Sequence, residues 1–176
     1  MSDILIVIDF QNDFIDGSLG TPEAQAIVPN VVRKIAEYEA ADKPVIATLD
    51  THHKDTYLDS IEGKYLPVEH CIVGTDGWRF SPEIGEQVAE KFTTIIPKGH
   101  FGINNWDEII EDHDQSVEII GLCTDICVIS NALVLKTFLK RPVTVDASCC
   151  AGTTPEMHKK ALDVMKGCQI EVINES

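Results

Sequence analysis

The sequence predicts an α/β domain of three layers, α/β/α, built on a six-stranded parallel sheet. Three observations carry this. The first apolar run, Ile4-Leu5-Ile6-Val7-Ile8, is continuous rather than alternating, as in a strand covered on both faces. Similar runs recur along the chain, and helical periodicity lies between them. The length of 176 residues fits one domain over 1–176, with 44% hydrophobic residues to fill its core.

The elements follow in order. Strands are expected at Ile4–Ile8, Pro44–Leu49, Thr93–Pro97, Val117–Leu122, Pro142–Val145 and Gln169–Ile173. A helix over Pro29–Glu39 carries Val31, Val32, Ile35 and Tyr38 on one stripe, with Pro29 in its first turn. Ser81-Pro82-Glu83 opens a helix toward Glu90, and Asn104–Glu111 reads as a shorter one. Cys127–Leu139 reads as a buried helix. Thr154-Pro155-Glu156 starts a last helix that ends near Lys166-Gly167, with Gly167 in the C′ role. Asp50–Phe80 breaks the alternation. A segment this long without periodicity is expected to be functional, and its Tyr57, Tyr65, Trp78 and Phe80 argue that it is ordered.

Charge and cysteine usage narrow the function. With 14 Lys and Arg against 29 Asp and Glu, the formal charge is −15, which disfavours nucleic acid and anionic lipid as partners. No apolar run approaches the ~20 residues of a membrane helix, and the N-terminus does not read as a secretion signal. Six cysteines without such a signal read as free thiols in a reducing cytoplasm. Neither a GxGxxG following a strand nor a GxxxxGK[ST] loop is present, so nucleotide binding through a glycine loop is not indicated.

In parallel sheets ligands bind beyond the carboxyl ends of the strands. Asp9 follows the first strand, Lys98 the third and Cys127 the fourth. Each alone reads as a turn aspartate, a solvated lysine or a small buried thiol. Together they form a base, a cation and a nucleophile at one sheet edge. Cys127 falls where a helix should begin, a place that lowers a thiol pKa, whereas Asp125 opposes ionisation unless it is engaged elsewhere.

IVIDFQNDF (6–14), IIPKGHFG (95–102) and GLCTDICVISNAL (121–133) together resemble the cysteine hydrolase superfamily of nicotinamidases and isochorismatases. PVEHCIVGTDG (67–77) and Asp50-Thr51-His52 are similar to its nicotinamidase branch. The resemblance implies an isochorismatase-like, Rossmann-like hydrolase fold with Asp9, Lys98 and Cys127 as catalytic triad. It implies a cis Leu122–Cys123 peptide and an oxyanion hole from the N–H groups of Cys123 and Cys127. It implies a divalent metal, Zn with Fe or Mn as alternatives, on Asp50, His52 and His70. Glu62 is the candidate fourth ligand and His53 the neighbouring alternative.

The implied activity is hydrolysis of a small carboxamide to acid and ammonia through a thioester on Cys127. Phe14, Gln11, Leu122 and Phe101 are assigned to the substrate pocket, with Trp78 as a further aromatic. Where nicotinamidases often have Trp-Pro-Pro-His, this chain has Leu66-Pro67-Val68-Glu69-His70, so nicotinamide, other carboxamides and N-carbamoyl compounds stay open as substrates. A vinyl-ether hydrolase and a non-catalytic thiol-redox protein are the competing readings. Relatives often self-associate, so a homo-oligomer is expected.

Overall fold

The computed structural model describes residues 1–84 and 92–175. Six strands form one parallel sheet in the order β3-β2-β1-β4-β5-β6: β1 Ile4–Ile8, β2 Val45–Asp50, β3 Thr94–Lys98, β4 Val117–Leu122, β5 Val143–Ala151 and β6 Glu171–Ile173. β1 and β4 lie at the centre, where every residue of both is buried. β3 is an edge strand, which lets it carry Pro97 without losing a bond the interior would need.

Alternation along the central strands sorts the core into two layers. Ile4, Ile6 and Ile8 of β1, with Val117 and Ile119 of β4, pack against α4 (Trp106–Ile109), α5 (Ile129–Lys136) and α6 (Pro155–Gly167). Leu5 and Val7, with Ile120 and Leu122, pack against α1 (Asn12–Ile15) and α2 (Pro22–Ala40). α3 (Ile61–Tyr65) lies in the long connection after β2, following a 3₁₀ turn at Tyr57–Asp59. Among the described residues no helix is long and apolar enough to cross a membrane.

Several expectations need correction. α2 starts at Pro22, not Pro29: the Thr21 hydroxyl caps it by accepting the Ala24 N–H, and Pro22 occupies the first turn. Pro29 sits inside this helix. The carbonyl its ring leaves without a donor belongs to the exposed Gln25, where water can serve it. Gly167 is the last helical residue of α6 rather than its C′, and the left-handed turn falls on Gln169 (φ 63°). The helix expected over Asn104–Glu111 is confined to Trp106–Ile109. The helix expected from Ser81 toward Glu90 is helical at 82–84, and its remainder lies outside the described residues.

The strand order places the site. β3, β2, β1 and β4 are consecutive neighbours, and β1/β4 is the switch point from which the chain winds outward in both directions. Asp50 and Lys98 are register partners at the ends of β2 and β3. Asp9 follows β1 and Cys123 follows β4. Gly121 makes the last junction feasible: at φ 119° its backbone passes so close to β1 that any Cβ would run into the Ile8 carbonyl.

Candidate active site

Asp9 leaves β1 in the left-handed region, at φ 44°, and is wholly buried. Thr48 of β2 donates its hydroxyl to Asp9 Oδ1 at 2.6 Å and accepts the Asp9 N–H at 3.1 Å. The other oxygen, Oδ2, lies 2.7 Å from Lys98 Nζ. The same ammonium is 3.5 Å from Cys127 Sγ, 3.5 Å from Asp50 Oδ1 and 3.0 Å from the His100 carbonyl. Lys98 is therefore a buried hub rather than a solvated lysine.

Burial acts on every member of this group. It pushes the Asp9 carboxyl above its ordinary range; Lys98 opposes that and Asp50 adds to it. Burial would discharge Lys98, yet the neighbouring carboxylates of Asp9 and Asp50 hold its pKa above the usual lysine value. Cys127 is pushed well up, by burial first and then by the carboxylate of Asp9. The expectation that a helix start would lower this thiol is corrected. Cys127 lies within a π-helical turn, Thr124–Val128, so the thiol is surrounded by apolar atoms and carboxylates before α5 begins. Asp125 is engaged elsewhere, as its position required: its two oxygens accept from the Thr153 N–H at 2.8 Å and the Thr153 hydroxyl at 2.6 Å.

The Leu122–Cys123 peptide is cis. The turn that follows is tied down from two sides. Thr124 Oγ1 lies 2.7 Å from His158 Nδ1 on α6. Asn131 on α5 uses its full hydrogen-bonding capacity: its amide donates to the Cys127 and Phe101 carbonyls, and its oxygen accepts from Ile103 N–H and Trp106 Nε1–H.

Beside the thiol, Asp50, His52, Glu62 and His70 bring one potential ligand atom each to within 4.8 Å of one another. Asp50 Oδ2 is 3.0 Å from His52 Nε2 and 3.4 Å from His70 Nε2; Glu62 reaches the same nitrogens at 3.7 and 3.4 Å. Glu62 arrives on α3, and Gly63 allows that helix to sit against the Tyr57 carbonyl, which a Cβ would strike. His70 Nδ1 is 2.9 Å from the Val68 carbonyl, which orients Nε2 toward the cluster. Burial acts to discharge the His70 ring, and Asp50 and Glu62 outweigh it, raising its pKa to about 10. Asp50 is held below the ordinary carboxylate range: burial opposes ionisation, while His52, His70 and Lys98 outweigh it. Two carboxylates and two imidazoles around one point, three of them buried and Glu62 half-buried, fit a divalent cation. His53 is exposed and outside the cluster.

A cavity of about 290 Å³ opens between this cluster and the thiol. Phe14, Leu122, Cys123 and Phe101 line it, as do Leu19, Leu66, Ile126 and Thr153, which the sequence did not single out. Gln11 is absent from its wall. Its side chain is instead buried against the backbone of Asp50 and Trp78. Trp78 does not line the cavity either; its indole N–H donates to Thr51 Oγ1. A larger, more open groove of about 880 Å³ runs between α2 and α6, with none of Asp9, Asp50, Lys98 or Cys127 in its walls.

Residues 3–175 match the Isochorismatase domain family. The chain belongs to this family. Within it the chain is similar to nicotinamidases. It is 26% identical to a nicotinamidase of Schizosaccharomyces pombe, over 97% of this chain and 92% of that protein. It is 29% identical to a nicotinamidase/pyrazinamidase of Mycobacterium tuberculosis, over 98% of each. A pyrazinamidase of Pyrococcus horikoshii in complex with zinc superposes with a TM-score of 0.82 at 26% identity, over 99% of this chain and 100% of that one. A nicotinamidase/pyrazinamidase of Bacillus subtilis has the same fold, with a TM-score of 0.84 at 23% identity over 98% and 99%.

Thr48 and His158 had no signal in the sequence, and Asn131 lay within the 121–133 motif without a role assigned to it. They are ordinary polar residues inside strands and helices, and only the fold brings them to the site.

Proposed function

We propose that this protein is a nicotinamidase-type amidohydrolase that hydrolyses a small carboxamide to the acid and ammonia through a thioester on Cys127. The carrying observation is that Cys127, on the wall of a small cavity, is backed by the buried Lys98–Asp9 pair and faces the cluster of Asp50, His52, Glu62 and His70. A cavity of about 290 Å³ suits a single-ring substrate.

In this reading the resting thiol is neutral, as burial dictates, and Asp9 is a carboxylate whose basicity burial has raised. Asp9 takes the thiol proton as sulfur attacks the amide carbon. The N–H groups of Cys123 and Cys127 hold the oxyanion. Asp9 returns the proton to the departing nitrogen, the C–N bond breaks, and ammonia leaves behind a thioester. Asp9 next takes a proton from water as it attacks the thioester. The C–S bond breaks, the acid is released and the sulfur recovers a proton. Lys98 stabilises the carboxylate and the developing thiolate throughout. Asp50, His52, Glu62 and His70 would hold a divalent cation, with zinc the first choice and iron or manganese the alternatives. When bound, it supplies a Lewis-acidic contact that orients a substrate lone pair.

The test is ammonia release from nicotinamide by protein loaded with zinc, manganese or iron, alongside Cys127→Ala and acid-quench mass spectrometry for an acyl adduct on Cys127. Turnover is expected in the wild type and a loss of at least about 10⁴-fold in Cys127→Ala. No ammonia from nicotinamide or from a panel of small carboxamides with any of the three metals overturns the reading.

A further inference from the structure

Asp9 and Phe14 have roles in the reaction and the cavity wall; Gln11, Asn12 and Asp13 between them touch neither. They touch the two segments that bear the metal-ligand cluster. Gln11 grips the Asp50 backbone on both sides: its Nε2 donates to the Asp50 carbonyl at 2.9 Å and its Oε1 accepts the Asp50 N–H at 2.7 Å. The same Nε2 donates to the Trp78 carbonyl at 2.8 Å. Asp13 Oδ2 accepts the N–H of Cys71, the residue after His70, at 2.7 Å. Cys71 is in the left-handed region at φ 45°, a conformation that disfavours a residue with a Cβ.

The hold extends further. His52 N–H donates to the Cys71 carbonyl at 3.0 Å, and Val73 N–H to the His52 carbonyl at 2.9 Å. Fixing Cys71 therefore fixes the chain at both histidines. Asn12 and Asp13 bond 76–79 as well: Asn12 Nδ2 donates to the Asp76 carbonyl, and Asp13 N–H to that of Gly77. A Cβ at Gly77 would run into the Asp13 carboxylate and push it off the Cys71 N–H.

We propose that Gln11 and Asp13 are positioning residues for the metal centre, locking the segments that carry Asp50, His52 and His70 to the end of β1. This rests on the metal reading above. Its consequence is that the catalytic base and the frame of the metal ligands come from one five-residue stretch of chain, so neither can shift without the other.

The experiment compares Zn²⁺ affinity, by competition with a chromophoric chelator, in wild type, Asp13→Asn, Gln11→Glu and His52→Ala. Asn at 13 cannot accept both N–H groups that Asp13 now serves, from Cys71 and Ser18. Glu at 11 cannot donate to the two carbonyls. Each variant should bind Zn²⁺ about 10–100-fold more weakly, as for other residues that orient metal ligands. Iodoacetamide should alkylate Cys127 in the metal-free variants within twofold of the wild-type rate, since neither residue touches the thiol. Zn²⁺ affinity within twofold of wild type in both variants overturns the proposal. So does a change in thiol alkylation of more than twofold in either direction, which would show that the substitution reaches beyond the metal-ligand segments. The two variants act at different segments, so if one does not fold the other is read alone: weaker Zn²⁺ binding supports the proposal and affinity within twofold of wild type overturns it. A wild type that binds no zinc, manganese or iron fails the metal reading itself, a different and recognisable result.

Discussion

The molecule buries the same ionic inventory twice. In the active-site candidate, Lys98 lies between Asp9 at 2.7 Å and Asp50 at 3.5 Å. Beneath α2, Lys34 lies between Glu118 of β4 at 2.7 Å and Asp146 of β5 at 2.9 Å. The third party differs. Lys34's group includes the Tyr38 hydroxyl, which donates to Glu118 Oε2 at 2.6 Å and is held above the ordinary tyrosine range by burial and Glu118. Lys98's group includes a thiol and borders the cavity. The remaining Asp146 contacts come from Ser148 and Asn174. A lysine between two carboxylates is therefore no sign of catalysis by itself. A nucleophile and room for a substrate distinguish the working copy from the structural one.

Exchanging the lesion between the two lysines gives the sharpest test. Lys98→Met should lower turnover by about 10²–10³-fold, the scale of one lost transition-state electrostatic contact. Lys34→Met should leave turnover per folded molecule unchanged and destabilise the fold by about 3 kcal/mol, since it strands two buried carboxylates. Kinetics and urea melts on both variants check this. Equal losses of turnover would erase the distinction.

The structural cluster also has a defined pH signature. Burial would raise the Asp146 pKa, but Ser148 and Lys34 outweigh it and hold the group below its unfolded value. Its contribution is thus fully present above about pH 4 and is lost as pH falls through the depressed folded pKa. The stability difference between wild type and Asp146→Asn should be constant from pH 5 to 7 and shrink at lower pH, as read from urea midpoints. A difference that grows on acidification contradicts this.

Thr48 probes the smallest expected effect. Thr48→Val removes the hydroxyl bonded to Asp9 and should cost about 1.4 kcal/mol, or tenfold in turnover. Its acid limb should move to higher pH, because the lost bond stabilised the Asp9 carboxylate. Unchanged turnover and pH profile would show that Lys98 alone sets Asp9.

What the sequence by itself determined is local. Apolar runs located the six strands, with most ends within a residue or two; β1, β2, β4 and β5 are covered on both faces and have no solvent side to mark, whereas the edge strands β3 and β6 are largely exposed. Thr154-Pro155 marked the start of α6 through capping chemistry. By contrast, Pro29 marks a later start for α2 than the Thr21-Pro22 cap that begins it, because a proline fits either a first turn or a solvent-facing position inside a helix. Spaced motifs named Asp9, Lys98 and Cys127 and the candidate metal ligands, since each follows a strand end or lies in the aperiodic segment after β2. The tertiary structure decided what those residues meet. Gln11 reads as a pocket residue from its place beside Asp9, yet its amide closes on the Asp50 peptide, 39 positions away. Cys127 reads as an activated thiol at a helix start, yet burial and Asp9 raise its pKa. Glu118 and Asp146 read as strand residues, and only strand order and the overlying α2 show that Lys34 neutralises them. The physical reason is common to all three. Propensity, capping and periodicity act over a few residues, whereas desolvation and charge pairing depend on every atom within several ångströms, and those atoms come from distant parts of the chain.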